Sequence, residues 1–472
     1  MATLPSTWRC ILALFIAVSG CSAQADNIDQ AQQQVGPPDP GAGMGVLYRD
    51  GGPMGPAAFS DAAGMDRMPF AEGGPMVMVD GPKTFEGGPM RLDAGMDTGT
   101  SGSVCGPLRS SALSPASGLR SRLTWLMQEN VLLSGLAIKA VATQQVRSQS
   151  AELALDENTV GLADVVRRVY GRTSADQFRE IWRAYAQAFL SYGQARAGGD
   201  ERAAQQAIVE RDQALSSLST WFARLHPLAD RSTVEQALRN QSATFQTAVD
   251  AIATDDPTQY TKLDQASDAM SAAAFTLSGV YKERAAGAFA GSVASAGSSL
   301  RGALTNHLVL QSYLQALASW TVLNGGNPGT AMEVLQADTA QMTQLLQGRS
   351  DTPADAQLQK LWNAQLGYLS DYARALAAGD LSGEQQAIAS LRAFTRDVSA
   401  ELRLVDQDFE PTTIEHELDQ YVSSLLAVID AQATGDRSQF HEARMAGAEA
   451  FGAARSLAMA IAGPEFQPIR MP

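Results

Sequence analysis

The sequence predicts an all-α protein: two tandem up-and-down helical bundles from an internal duplication, preceded by a long disordered linker. The duplication is the first observation behind this. Residues 181–260 recur without a gap as residues 361–440. Trp182, Tyr192, Gly199-Asp200, Leu238 and Asp250 are answered by Trp362, Tyr372, Gly379-Asp380, Leu418 and Asp430. Self-similarity at a fixed offset decides architecture before local propensity does. The second observation is period: Leu119, Leu123, Leu126, Val131, Leu132 and Leu136 mark one face of an amphipathic helix. The third is punctuation. Gly199-Asp200 and Gly379-Asp380 each end an Ala-rich run, Gly suiting the left-handed C′ position and Asp the N-cap of the next helix. Helix, tight break, helix implies antiparallel neighbours.

Taken in order, residues 1–20 read as a targeting segment, with Arg9 in a short n-region and an apolar run from Ile11 to Val18 too short to span a bilayer. Val18-Ser19-Gly20-Cys21 resembles the bacterial lipoprotein signal. That resemblance implies cleavage before Cys21, lipidation of its thiol and anchoring to a membrane. Ser22 stands where an inner-membrane retention signal usually has Asp, which favours the outer membrane in a Gram-negative cell. Cys10 would leave with the signal and Cys21 would carry lipid, so Cys105 is the one remaining thiol of the three. It can stay free or pair with another chain.

Residues 21–115 read as a tether. Gly, Pro, Asp and Met dominate it, and Gly-Gly-Pro-Met occurs at Gly51–Met54, Gly73–Met76 and Gly87–Met90. Gly and Pro at this density break helices and strands alike. A flexible chain of this length reaches on the order of 50 to 60 Å. Its methionines have almost no other large apolar residue around them. Thioethers are soft ligands that select Cu(I), and Met65, Met68, Met76 and Met78 form two close pairs, but the absence of His between them and their irregular spacing favour expansion of a Gly-Gly-Pro-Met unit with no ligand.

The first bundle is expected over 116–292, with helices near 118–145, 174–198, 200–225, 231–254 and 257–285 and a short helix near 158–170. The second is expected over 293–463, with helices near 296–323, 353–378, 380–405, 412–434 and 436–462 and a short helix near 330–347. An Ala/Gly/Ser run over 285–299 joins them, and 464–472 form a tail. Asp255-Asp256 and Gly435-Asp436 repeat the Gly-Asp break one hairpin later. Trp182 and Trp362 read as core anchors.

Composition narrows the function classes. At 472 residues, 45% hydrophobic and 7% aromatic, the chain can bury ordinary cores. A formal net charge of −15 argues against duplex nucleic acid or anionic lipid as a partner. A metal or haem site in a bundle needs ligands from several facing helices, typically with Glu-x-x-His pairs, and no predicted helix carries one. His226, His307, His416 and His441 are scattered, and the last two answer to Gln236 and Thr261 in the first copy, which favours solvated surface positions. No nucleophile elbow, Walker loop or dinucleotide fingerprint is present.

Leu119-Arg120, Leu123, Leu126, Glu129, Tyr170-Gly171, Trp182, Gly199-Asp200 and Leu238, with Leu300-Arg301, Leu304 and Leu308 in the second copy, carry a further resemblance. The frame is similar to a family of exported bacterial all-α proteins, some associated with copper-amine-oxidase-like N-terminal segments. It covers roughly 118–275 and 300–455. The resemblance implies one His on each of four helices per repeat. At those places this chain has Asn130, Tyr185, Gln241 and Met270, then Gln311, Gln365, Tyr421 and Ala450. Amides and phenols can close a hydrogen-bonded layer but make poor metal ligands. The expectation is therefore a non-enzymatic, membrane-anchored envelope lipoprotein without a cofactor, presenting a helical scaffold to a protein partner. The alternative is Cu(I) handling by the Met-rich tether.

Overall fold

The computed structural model describes residues 107–143, 148–226, 231–346, 353–405 and 411–462. The expected signal, Cys21, the tether methionines Met65, Met68, Met76 and Met78, Cys105 and the tail lie outside the described residues.

Among the described residues the chain forms thirteen helices and no strand. After a short α1 (Pro107–Ala112), the first copy comprises α2 (Pro115–Ala142), α3 (Ser148–Tyr170), α4 (Arg172–Gly198), α5 (Glu201–Leu225), α6 (Arg231–Ala253) and α7 (Gln259–Arg284). The second comprises α8 (Ala296–Leu323), α9 (Gly329–Leu346), α10 (Pro353–Ala378), α11 (Leu381–Val405), α12 (Pro411–Thr434) and α13 (Gln439–Ile461). Each helix of one copy has its counterpart in the other, as the duplication requires.

Two boundaries differ from expectation. Residues Pro107–Ala112, inside the stretch read as tether, are helical, with Ala112 fully buried against α8 and its carbonyl accepting from the Arg301 guanidinium at 3.3 Å. Helix α3 starts at Ser148 rather than near 158. Its first turns bury only the small face of Ala151, Ala154 and Leu155, which a search for large apolar residues passes over.

Local chemistry sets the ends. Ser114 accepts a hydrogen bond from the Ser117 amide at 3.2 Å, with Pro115 in the first turn, and Ser295 does the same for Ser298 at 3.2 Å. Gly199 and Gly379 take φ of 70° and 67°, and Asp200 and Asp380 accept from the amides of Ala203 and Gly383, each at 3.0 Å. Asp255 adopts φ 53° where the second copy has Gly435 at 66°. Its carboxylate is held by the Lys139 ammonium.

Helices α4–α5 and α6–α7 pack as hairpins, as do α10–α11 and α12–α13. The first helix of each copy runs through the middle. Helix α2 touches α3, α4, α6 and α7, and α8 touches α9, α10, α12 and α13. Both central helices are buried on nearly every face, which is how a helix in the interior of a larger core behaves.

The reason is that the two copies share one core. Helix α2 packs along α8, α13 of the second copy packs on α2 and α3, and α7 of the first packs on α8 and α9. These contacts come in reciprocal pairs, as in a two-fold dimer. Arg120 donates to the Val293 carbonyl at 2.8 Å, while Arg301, its counterpart, donates to the carbonyl of Ala112. Trp125 stacks on Phe451 across the seam at 4.9 Å. Close approach needs Gly447 there, since a Cβ would lie 3.2 Å from the Tyr313 ring and 3.4 Å from the Trp125 indole.

Candidate functional site

The eight positions singled out by the family frame are all interior, at 1% exposure or less. In the first copy the Tyr185 hydroxyl on α4 donates to the Gln241 carbonyl oxygen on α6 at 2.5 Å. Asn130 on α2 turns instead to Asn158 on α3 at 3.3 Å, and Met270 on α7 is a fully buried apolar side chain. In the second copy the tyrosine and glutamine exchange helices. Gln365 stands on α10 and Tyr421 on α12, where the Tyr421 hydroxyl pairs with Ser312. Gln311 on α8 accepts from the Trp362 indole at 3.1 Å and donates to Asp338 on α9 at 2.8 Å. Ala450 takes the place of Met270.

The structure thus joins Tyr185 to Gln241 and sends Asn130 and Gln311 outward to α3 and α9. Burial pushes the Tyr185 and Tyr421 phenols far above their ordinary range, so both are neutral. Trp182 and Trp362 are core anchors, each exposed by 1% or less, and Trp362 also ties α10 to the polar layer. Neither of two open clefts, of about 500 Å³ between α3 and α13 and about 340 Å³ between α3 and α4, is lined by any of the eight residues. Among the described residues no group of three or more His, Cys, Asp or Glu side chains is placed to hold a metal ion.

The buried charges sit next to this layer, at the seam. On one side Glu129 of α2, fully buried, accepts from Asn158 at 2.7 Å and from the Tyr313 hydroxyl of α8 at 3.2 Å. Arg444 of α13 lies 3.6 Å from it and pairs with Glu157 of α3. Burial raises the Glu129 carboxyl, and Arg444, Asn158 and Tyr313 pull against that rise. On the other side His307 of α8 meets Asp338 of α9, Nδ1 to Oδ1 at 2.6 Å. Asp264 and Asp268 of α7 face the pair, and Asn306 donates to Asp268 at 3.1 Å while accepting from Gln128 of α2. Burial lowers the His307 imidazolium, but Asp338, Asp268 and Asp264 outweigh it and hold the proton on. Burial, Asp268 and Asp338 push the Asp264 carboxyl up to about 7, against His307.

His307 is the residue that reading the sequence undervalued. Its counterpart in the first copy is Leu126, a core residue of α2. A titratable group matched to a buried Leu was the available signal. His416 and His441, by contrast, lie on the surface, each beside its own carboxylate, Glu449 and Glu157.

Comparison with protein-family models, with curated proteins and with solved structures returns no match for the chain. Among the described residues no helix is long and apolar enough to cross a membrane.

Proposed function

We propose that the protein is a membrane-anchored envelope lipoprotein whose helical body is a non-enzymatic scaffold for a protein partner. The observation that carries this reading is Val18-Ser19-Gly20-Cys21 directly after a short apolar run. A thiol in that setting is a lipidation site, and each buried methylene of an acyl chain adds roughly 0.8 kcal/mol of membrane affinity. The interior supports the scaffold half of the reading. The positions where the similar family implies histidines hold amides, phenols and apolar side chains, a set with little to offer a metal or a proton-transfer step near neutral pH. Growth with a radiolabelled fatty acid is expected to label the parent protein and not a Cys21→Ala variant. A label that persists in the variant, or that never enters the parent, overturns the anchor.

The close methionine pairs Met65/Met68 and Met76/Met78 favour a second reading, in which the N-terminal segment binds Cu(I) and delivers it to an acceptor. A synthetic peptide covering residues 44–96 should then bind micromolar Cu(I) and lose binding when its methionines become Leu. Absence of binding removes this reading and leaves the first untouched.

A further inference from the structure

The seam between the two copies is built by matching helices, yet its two sides carry different charge chemistry. At the equivalent positions on α13 and α7 stand Arg444 and Asp264. Arg444 bridges Glu129 and Glu157 with a guanidinium that stays charged at any physiological pH. On the opposite side Asp264 adds an acid to Asp338 and Asp268, and the cation facing all three is His307. His307 and Asp338 are 9% and 5% exposed, Asp264 is half-buried, and Asp268 stands at the solvent rim, so protons have a path in. The other helices around the pair supply neutral groups: Gln128 from α2 through Asn306, Trp362 from α10 through Gln311, and Tyr421 from α12.

We propose that this side of the seam is a proton-operated latch: with His307 protonated among Asp338, Asp264 and Asp268, α8 and α9 of the second copy stay closed on α7 of the first. Loss of that proton leaves three carboxylates against one another and loosens this side, while Arg444 keeps the other side closed.

The direction follows from two groups that agree. His307 binds its proton more tightly in the folded chain than in the unfolded one, so the stability it contributes is complete below the ordinary histidine range and is lost as pH rises through its folded value. Asp264 holds a proton up to about 7 that the unfolded chain releases near 4. Asp264 therefore costs stability increasingly from about pH 4 to about 7, and His307 adds its own loss as pH rises through its raised folded value.

Hydrogen exchange of the full chain between about pH 5.5 and 8.5, corrected for the intrinsic rate, reads this directly. Peptides from α7 and α9 are expected to lose about tenfold in protection relative to those from α3 and α13. A ratio that stays flat with pH overturns the latch. In Asp338→Asn, which installs the residue that the first copy carries as Asn158 at the matching place, the ratio should flatten. Should that variant not fold, Asp264→Asn serves the same purpose, and full retention of the pH effect in a folded variant overturns its assignment to this cluster.

Discussion

Glu129 is fully buried, and its charge is supported from three helices, two of them in the other copy. Removing one member of a buried ion pair costs more than removing both. Arg444→Met should therefore destabilise the chain by about 3–5 kcal/mol in denaturant unfolding. Adding Glu129→Gln should restore most of the loss, because the amide oxygen still accepts from Asn158. A double variant as unstable as Arg444→Met would show that packing of the Arg444 stem, not charge, is at stake. Tyr185→Phe removes the donor to Gln241 inside a buried layer and should cost about 1–3 kcal/mol. Tyr192→Phe should cost less, since its partner Asp250 is partly exposed and keeps Arg196 at 2.9 Å. Tyr185 and Gln241 were singled out by the resemblance to the exported all-α family, and both stand in the interior. The Glu129–Arg444 and His307–Asp264 encounters were not legible in the sequence, because each joins residues of different copies across a seam that no local pattern marks.

At the scale of a helix, the breaks were legible because their causes are local. A glycine at φ near 70° and an aspartate after it specify a C′ residue and an N-cap whatever the tertiary setting. Asp200→Ala should lower stability by about 1 kcal/mol, and Gly199→Ala by about 1–2 kcal/mol, both measured by chemical denaturation. Packing between helices is less legible. A Cβ on Gly193 of α4 would lie 2.6 to 2.8 Å from Ile138 of α2. The second copy places Ala373 and Ser319 at those two positions, so volume lost on one helix is returned on the other. Gly193→Ala alone should destabilise by about 1–3 kcal/mol through overpacking, and pairing it with Ile138→Ser, the second copy's combination, should recover part of that. A pair no better than the single variant would mean that backbone spacing differs between the copies. The early start of α3 escaped because a helix that buries only Ala151, Ala154 and Leu155 in its first turns has a narrow apolar face.

As a whole, the duplication told of two units and not of their union. The central helices α2 and α8 are each completed by the other copy, so neither copy encloses its own core. Calorimetry of the full chain should give one transition with equal calorimetric and van't Hoff enthalpies, and two resolved transitions would refute this. The same closure bears on α1. Its six residues dock on α8 of the second copy, with Arg301 holding the Ala112 carbonyl, before the chain enters the first copy. A mechanical load applied to the chain upstream of Pro107 would therefore reach the far copy first and would press on the clasp between the copies instead of peeling α2 from its neighbours. The strength of the molecule under tension is then set by that clasp, and a force-extension trace should show its rupture ahead of any unravelling of helices.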